Sequence, residues 1–328
     1  MGSNPTPSAK IPFLQNLPKV RISRAASSII HLSAFQCDCH MPNPSPLQAL
    51  NVFDHDRDSA GLKYVYPVVS RRAGGVSVGI NLNVNNACNW RCIYCQVPQL
   101  TRGAPPAVDL NRLKTELAGF LKEVLEGDFL ATRVPDGART LHDIALSGNG
   151  EPTSAREFEQ IIDLIGDVRL ECGVSDSIKT ILITNGSLMQ REGVRRGVRK
   201  LAALSGEVWF KLDRATDAGM RRINSTRSSM NRVRTNLATA ASLCPTWVQT
   251  CLFAIDSEAP DEAEQAAYVA FLTESLDAGV ALEGVLLYGL ARTSLQPEAS
   301  HLSPLSAGWL EVFAQRIRAL GLAVKITL

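Results

Sequence analysis

Eight consecutive residues, Cys88-Asn89-Trp90-Arg91-Cys92-Ile93-Tyr94-Cys95, carry three thiols in the spacing C-x3-C-x2-C. Thiolate is the usual ligand of iron–sulfur clusters, and four of them saturate a [4Fe–4S] cube. Three leave one iron open, where a small molecule can bind and react. A zinc site wants a fourth Cys or His at short spacing. No histidine lies between His55 and His142, and the next cysteine is Cys172. A disulfide fits poorly, because three is odd and nothing in the chain suggests secretion. Trp90 and Tyr94 stand where they could shield a cluster from water, or simply fill a core.

Such a loop needs rigid elements to hold it. The chain has 328 residues, enough for one large domain or two smaller ones. Its 45% hydrophobic and 20% charged residues are those of an ordinary globular protein. No apolar run reaches the roughly 18 residues that span a bilayer, so no membrane role is expected. Eight cysteines without a signal peptide point to a reducing cytoplasm.

Residues 1–50 are rich in Ser, Pro and Asn and lack a sustained period, which predicts a disordered or extended segment. Met41 is an alternative start, and Cys37-Asp38-Cys39-His40 a candidate metal-binding group. Residues 51–77 read as an extension of the core. From residue 78 to 328, β-rich runs alternate with helical stretches, ending in a C-terminal helix and strand. The runs are Val76–Val84, Leu141–Ser147, Thr180–Asn185, Val208–Leu212, Val248–Ile255 and Gly284–Tyr288. The helical stretches are Leu110–Leu125, Arg156–Leu170, Glu192–Leu204, Met230–Leu243 and Glu262–Ala278. Leu110, Leu113, Leu117, Phe120, Leu121 and Val124 recur as one apolar helix face. Six β/α repeats in a row predict an α/β parallel barrel, complete or partial. A doubly wound sheet is the competing architecture.

In parallel barrels the chemistry sits at strand ends. The first run leads into the cysteine loop. The second ends in Ser147-Gly148-Asn149-Gly150-Glu151-Pro152, where two glycines permit close backbone approach and Glu151 offers a carboxylate. The third ends in Thr184-Asn185-Gly186, with hydrogen-bonding groups suited to hydroxyls and a glycine free to take positive φ. The fourth ends in Lys211-Leu212-Asp213, whose two charged residues alternate and so share a direction on a strand. They are candidate catalytic groups on the substrate side, or a structural ion pair.

Taken in this order, Cys88-x3-Cys92-Ile93-Tyr94-Cys95, Gly148-Asn149-Gly150-Glu151-Pro152 and Thr184-Asn185-Gly186 resemble the radical S-adenosylmethionine (radical SAM) superfamily. The resemblance covers residues 78–328 and implies a partial (β/α)6 barrel of the TIM type. It implies that Cys88, Cys92 and Cys95 ligate one [4Fe–4S] cluster and that SAM chelates the open iron. An electron donor such as flavodoxin or ferredoxin would reduce the cluster, and SAM cleavage would yield a 5′-deoxyadenosyl radical that abstracts hydrogen from a substrate. By position, Gly148, Gly150 and Glu151 would bind the methionyl amine, and Thr184 and Asn185 would lie near the ribose. The backbone at Tyr94 and the side chain of Leu286 would lie at the adenine. The motif text is most similar to the wyosine-synthase-like group, which remodels a tRNA guanine. Those relatives carry a second cluster on three upstream cysteines, whereas this chain has only Cys37 and Cys39 there. Glycyl-radical-enzyme activases, radical SAM RNA methyltransferases and a non-catalytic iron–sulfur protein are the other readings.

The formal net charge of +2 hides an uneven distribution. Residues 191–234 hold 12 Lys or Arg against four acids, a net +8. That segment could attract an anionic substrate or RNA phosphate, or be a solvated surface.

Overall fold

The computed structural model describes residue 50, residues 60–70 and residues 74–328. The expectations for Met41 and for Cys37 to His40 lie outside the described residues.

The apolar runs form the strands of one eight-stranded sheet. They are β1 (Val65–Ser70), β2 (Gly75–Ile80), β3 (Leu141–Leu146) and β4 (Lys179–Thr184). The others are β5 (Gly206–Lys211), β6 (Thr246–Leu252), β7 (Gly284–Gly289) and β8 (Val324–Thr327). Strand order follows chain order from β1 to β8. Only β1 is antiparallel to its neighbour. A doubly wound sheet reverses its strand order at a switch point; this one never does, so the barrel reading holds. Side chains from β1 (Tyr66, Val68) and from β7 and β8 (Tyr288, Thr327) line one cavity, which requires the sheet to curl. The β1 and β8 edges are not paired with each other among the described residues, so the barrel is open.

Helices cover the outer face. α1 (Leu110–Leu125) follows β2, and α2 (Phe158–Glu171), α3 (Glu192–Ala202) and α4 (Asp217–Asn224) lie among β3 to β6. α5 (Met230–Leu243), α6 (Glu262–Asp277) and α7 (Ala307–Arg318) complete the layer. Their starts are written locally: Asp109, Thr216, Asp261 and Ser306 each accept a hydrogen bond from the backbone N–H three residues on. Alternate strand residues face the helices, and Val76, Val78 and Ile80 of β2 are fully buried there. Their partners Ser77, Gly79 and Asn81 face inward.

Two departures from the sequence reading have local causes. The first run stops at Ile80 rather than Val84, because Asn81 Oδ1 accepts from Asn83 N at 3.1 Å and turns the chain. β1 was not anticipated. It contains Pro67, which an edge strand tolerates, and Glu116 of α1 pins its start by accepting from Lys63 N and Tyr64 N. No helix among the described residues is long and apolar enough to cross a membrane.

Candidate active site

The C-terminal ends of the strands open into a cavity of about 790 Å³. Cys88, Cys92 and Cys95 all line it, half-buried and outside any disulfide. The cysteine loop is held from three sides. On the first, Asn81 Oδ1 accepts from Asn149 N at 3.0 Å, and Asn149 Nδ2 donates to Asn86 Oδ1 at 2.6 Å. The glycines of the second motif serve this contact. A Cβ on Gly148 would lie 2.3 Å from Asn81 Oδ1, and one on Gly150 would lie 2.2 Å from the Ala87 carbonyl oxygen.

On the second side, Asn185 Nδ2 donates to Asn89 Oδ1 and Asn89 Nδ2 donates to Ser187 Oγ, each at 2.8 Å. On the third, a strap after β7 reaches back across the loop. Ser294 Oγ donates to the Ile93 carbonyl at 2.7 Å, Leu295 N to the Cys95 carbonyl at 2.9 Å, and Gln296 Nε2 to the Val97 carbonyl at 3.0 Å. Arg91 and Glu298 close the strap with a bidentate ion pair at 2.9 and 2.6 Å.

Glu151 is buried and central. Oε1 accepts from Thr153 N and from the hydroxyls of Thr153 and Thr184, and Oε2 accepts from Asn185 N at 2.7 Å. Burial pushes its carboxyl above the usual range against the pull of these bonds. The Thr184 hydroxyl is thus committed to Glu151 and also receives Gly186 N at 2.9 Å. Gly186 has φ of +68°, and a Cβ there would meet the Phe210 ring.

Lys211 and Asp213 share a second node. Asp213 Oδ2 accepts from the Tyr94 hydroxyl at 2.5 Å and from Asn224 Nδ2 at 2.6 Å, while Oδ1 accepts from Cys251 N at 3.0 Å. Lys211 Nζ donates to the Tyr288 hydroxyl at 3.0 Å and stands 4.0 Å from Asp213 Oδ1. Burial pushes the Lys211 ammonium down, but Asp213, Tyr288 and Cys92 together outweigh it and hold the group well above the usual lysine range.

Of the residues singled out in the sequence, Tyr94, Gly148, Gly150, Glu151, Asn185 and Lys211 line the cavity with the cysteines. Thr184, Asp213 and Leu286 are not on its wall; Thr184 and Asp213 touch wall residues through hydrogen bonds. Asn224, Gln249 and Tyr288 were missed. Only the asparagine-dense run from Asn81 to Asn89 carried a local signal, as a polar, turn-forming stretch.

Three thiols on one loop are the donor chemistry that an iron–sulfur cluster takes. Among the described residues no group of three His, Cys, Asp or Glu is placed to hold a single metal ion. Burial pushes the Cys88 thiol up to about 11 and Cys92 up to about 12, a penalty that bound iron would offset. Two sulfurs already receive donors: Trp90 N reaches Cys88 Sγ at 3.4 Å and Asn224 Nδ2 reaches Cys92 Sγ at 3.2 Å.

The fold is the partial barrel of radical SAM enzymes. A radical SAM methyltransferase from Sphaerobacter thermophilus is similar with a TM-score of 0.53, over 77% of this chain and 66% of that one, at 16% identity. TYW1 with a lysine–pyruvate adduct bound is similar with a TM-score of 0.51, over 76% of this chain and 74% of that one, at 15% identity. In sequence, a UPF0026 protein of Helicobacter pylori is 25% identical over 139 residues, 41% of this chain and 38% of that protein. A protein named GTPase Obg from Brachyspira hyodysenteriae is 29% identical over 138 residues, 39% of this chain. The chain spans 16% of the latter's length and 38% of the former's. No family model matches the chain.

Proposed function

We propose that this chain is a cytoplasmic radical SAM enzyme with one [4Fe–4S] cluster on Cys88, Cys92 and Cys95. The observation that carries the reading is three cysteine thiols of one loop lining an open-barrel cavity, beside the Glu151 node. Held by Cys88, Cys92 and Cys95 and reduced by a carrier such as flavodoxin or ferredoxin, the cluster would supply the electron for cleavage of SAM to a 5′-deoxyadenosyl radical. The chain's own share is placement and exclusion of water. Glu151 and the Gly148–Gly150 turn would receive the methionyl amine, with Asn185 beside it. Thr184 acts as a strut for Glu151. Trp90 and Tyr94, both buried, close the wall around the thiols.

The substrate is an anionic molecule or an RNA. Part of the charge in residues 191–234 is neutralised by acids from outside the segment: Arg196 and Lys200 pair with Glu159, Arg214 with Glu264, and Arg234 with Glu274. Arg221, Arg222, Arg227 and Arg232 remain exposed. Arg221 and Arg222 lie on α4, which meets the cysteine loop through Arg91 N to the Asn224 carbonyl at 3.1 Å. That surface is the one for an anionic partner.

The test is anaerobic reconstitution followed by reduction with SAM. We expect about four irons per chain, 5′-deoxyadenosine as product, and loss of both in Cys92→Ala. Reconstituted protein that makes no 5′-deoxyadenosine would remove the enzyme reading and leave an iron–sulfur binding protein.

A further inference from the structure

The interior of a closed β/α barrel is filled by branched apolar side chains. Here the inward positions of β5, β6 and β7 include Lys211, Gln249 and Tyr288, and all three line the cavity. The register of β5 against β6 sets Lys211 directly beside Gln249. The Lys211 ammonium has three N–H groups. One goes to the Tyr288 hydroxyl at 3.0 Å, and Asp213 Oδ1 at 4.0 Å is beyond hydrogen-bond length. Asp213 is already occupied by Tyr94, Asn224 and the Cys251 N–H. The ammonium therefore keeps donor capacity toward the cavity.

Gln249 is 1% exposed, and its Nε2 is buried without a hydrogen-bond partner. A buried donor left unmet is unfavourable. The side chain sits on the wall of a cavity large enough to bring an acceptor to it. Two neighbouring donors, one of them cationic, call for an oxygen-rich anion. On β3, two strands from Lys211, Asp143 also lines the cavity and accepts from Ser77. A carboxylate there repels an anion and directs it to the β5–β6 side.

We propose that Lys211 and Gln249 form an anchoring subsite for an oxyanion of the substrate, a carboxylate or a phosphate group. The inference rests on the radical SAM reading only in calling that ligand the substrate. The ammonium binds as a fixed charge and Gln249 Nε2 supplies the directional bond.

The test is calorimetric titration of the full chain with inorganic phosphate and, separately, with malonate. It is run on unloaded protein and on cluster-loaded protein with SAM. Wild type should bind one of the two anions, which names the group. Gln249→Leu and Lys211→Met should each weaken that binding about tenfold or more. Gln249→Glu, nearly isosteric but negative, should weaken it further. Lys211→Arg keeps the charge, should retain binding within about threefold, and controls for folding. The proposal is overturned if neither anion binds wild type, if Gln249→Leu and Lys211→Met bind as wild type does, or if SAM competes with the anion. Failure to load a cluster or cleave SAM would instead strike the enzyme reading, while the unloaded titration would still decide the subsite.

Discussion

The mouth and the floor of the cavity are built on opposite principles. At the mouth, Asn81, Asn89, Asn149, Glu151, Thr184 and Asn185 engage one another through hydrogen bonds that join three separate loops. On the floor, Lys211 and Gln249 sit side by side; Gln249 Nε2 has no partner, and Lys211 Nζ donates to the Tyr288 hydroxyl with two N–H groups left over. Polar groups that meet each other make a rigid scaffold, which a cluster with fixed ligand geometry requires. Polar groups that do not meet each other wait for a ligand. On the proposed function, the first region would hold the cluster and the second would bind what the enzyme acts on.

The contrast can be broken most sharply at Asn81. Its Oδ1 serves both Asn83 N and Asn149 N, so Asn81→Ala takes the acceptor from two donors, one buried and one half-buried. We expect a loss of about 2 kcal/mol and a fall in Tm of about 5 °C, read by thermal unfolding. Unchanged stability would show that the mouth is not held as a scaffold.

A smaller effect is expected where the strap crosses the loop. Arg91 holds the Glu298 carboxyl below its ordinary value of 4.5. A carboxyl depressed in the folded state stabilises it above the unfolded value and loses that contribution as pH falls through the folded one. Hydrogen exchange of residues 91–97 should therefore rise as pH drops below about 4.5, after correction for the intrinsic exchange rate. In Glu298→Gln the corrected rates should lack that step. Identical pH profiles for the two proteins would show that Glu298 does not tie the strap down.

The smallest effect is expected on the floor. Gln249→Leu replaces an unmet donor with an apolar group of similar size, so the Tm should stay within about 2 °C of wild type or rise. A fall of several degrees would mean that Gln249 supports the fold, and the difference between mouth and floor would collapse.

Much of the architecture was legible because it is local. The apolar face of α1 is continuous in sequence, and the helix runs over the residues that face marks, Leu110–Leu125. The short β-rich runs separated by helix-length segments marked six strands of the sheet. β1 escaped notice because an edge strand with Pro67 and no preceding helix carries no β/α rhythm. The net charge of residues 191–234 was legible, but not that Glu159, Glu264 and Glu274 neutralise part of it from elsewhere in the chain.

Within the site, the cysteine spacing alone predicted three thiols facing one place, and all three line the cavity, because residues a few positions apart share any compact loop. Sequence order also fixed the kind of chemistry to expect at successive strand ends. It could not say that the Thr184 hydroxyl is taken by Glu151, 33 positions away, or that Asn224 donates to Cys92 across 132. Nor could it set Lys211 beside Gln249, which only the pairing of β5 with β6 does. Ligand spacing and periodicity are properties of neighbours along the chain. Whether a buried donor finds an acceptor depends on every segment that folds around it, and the tertiary structure alone decides that.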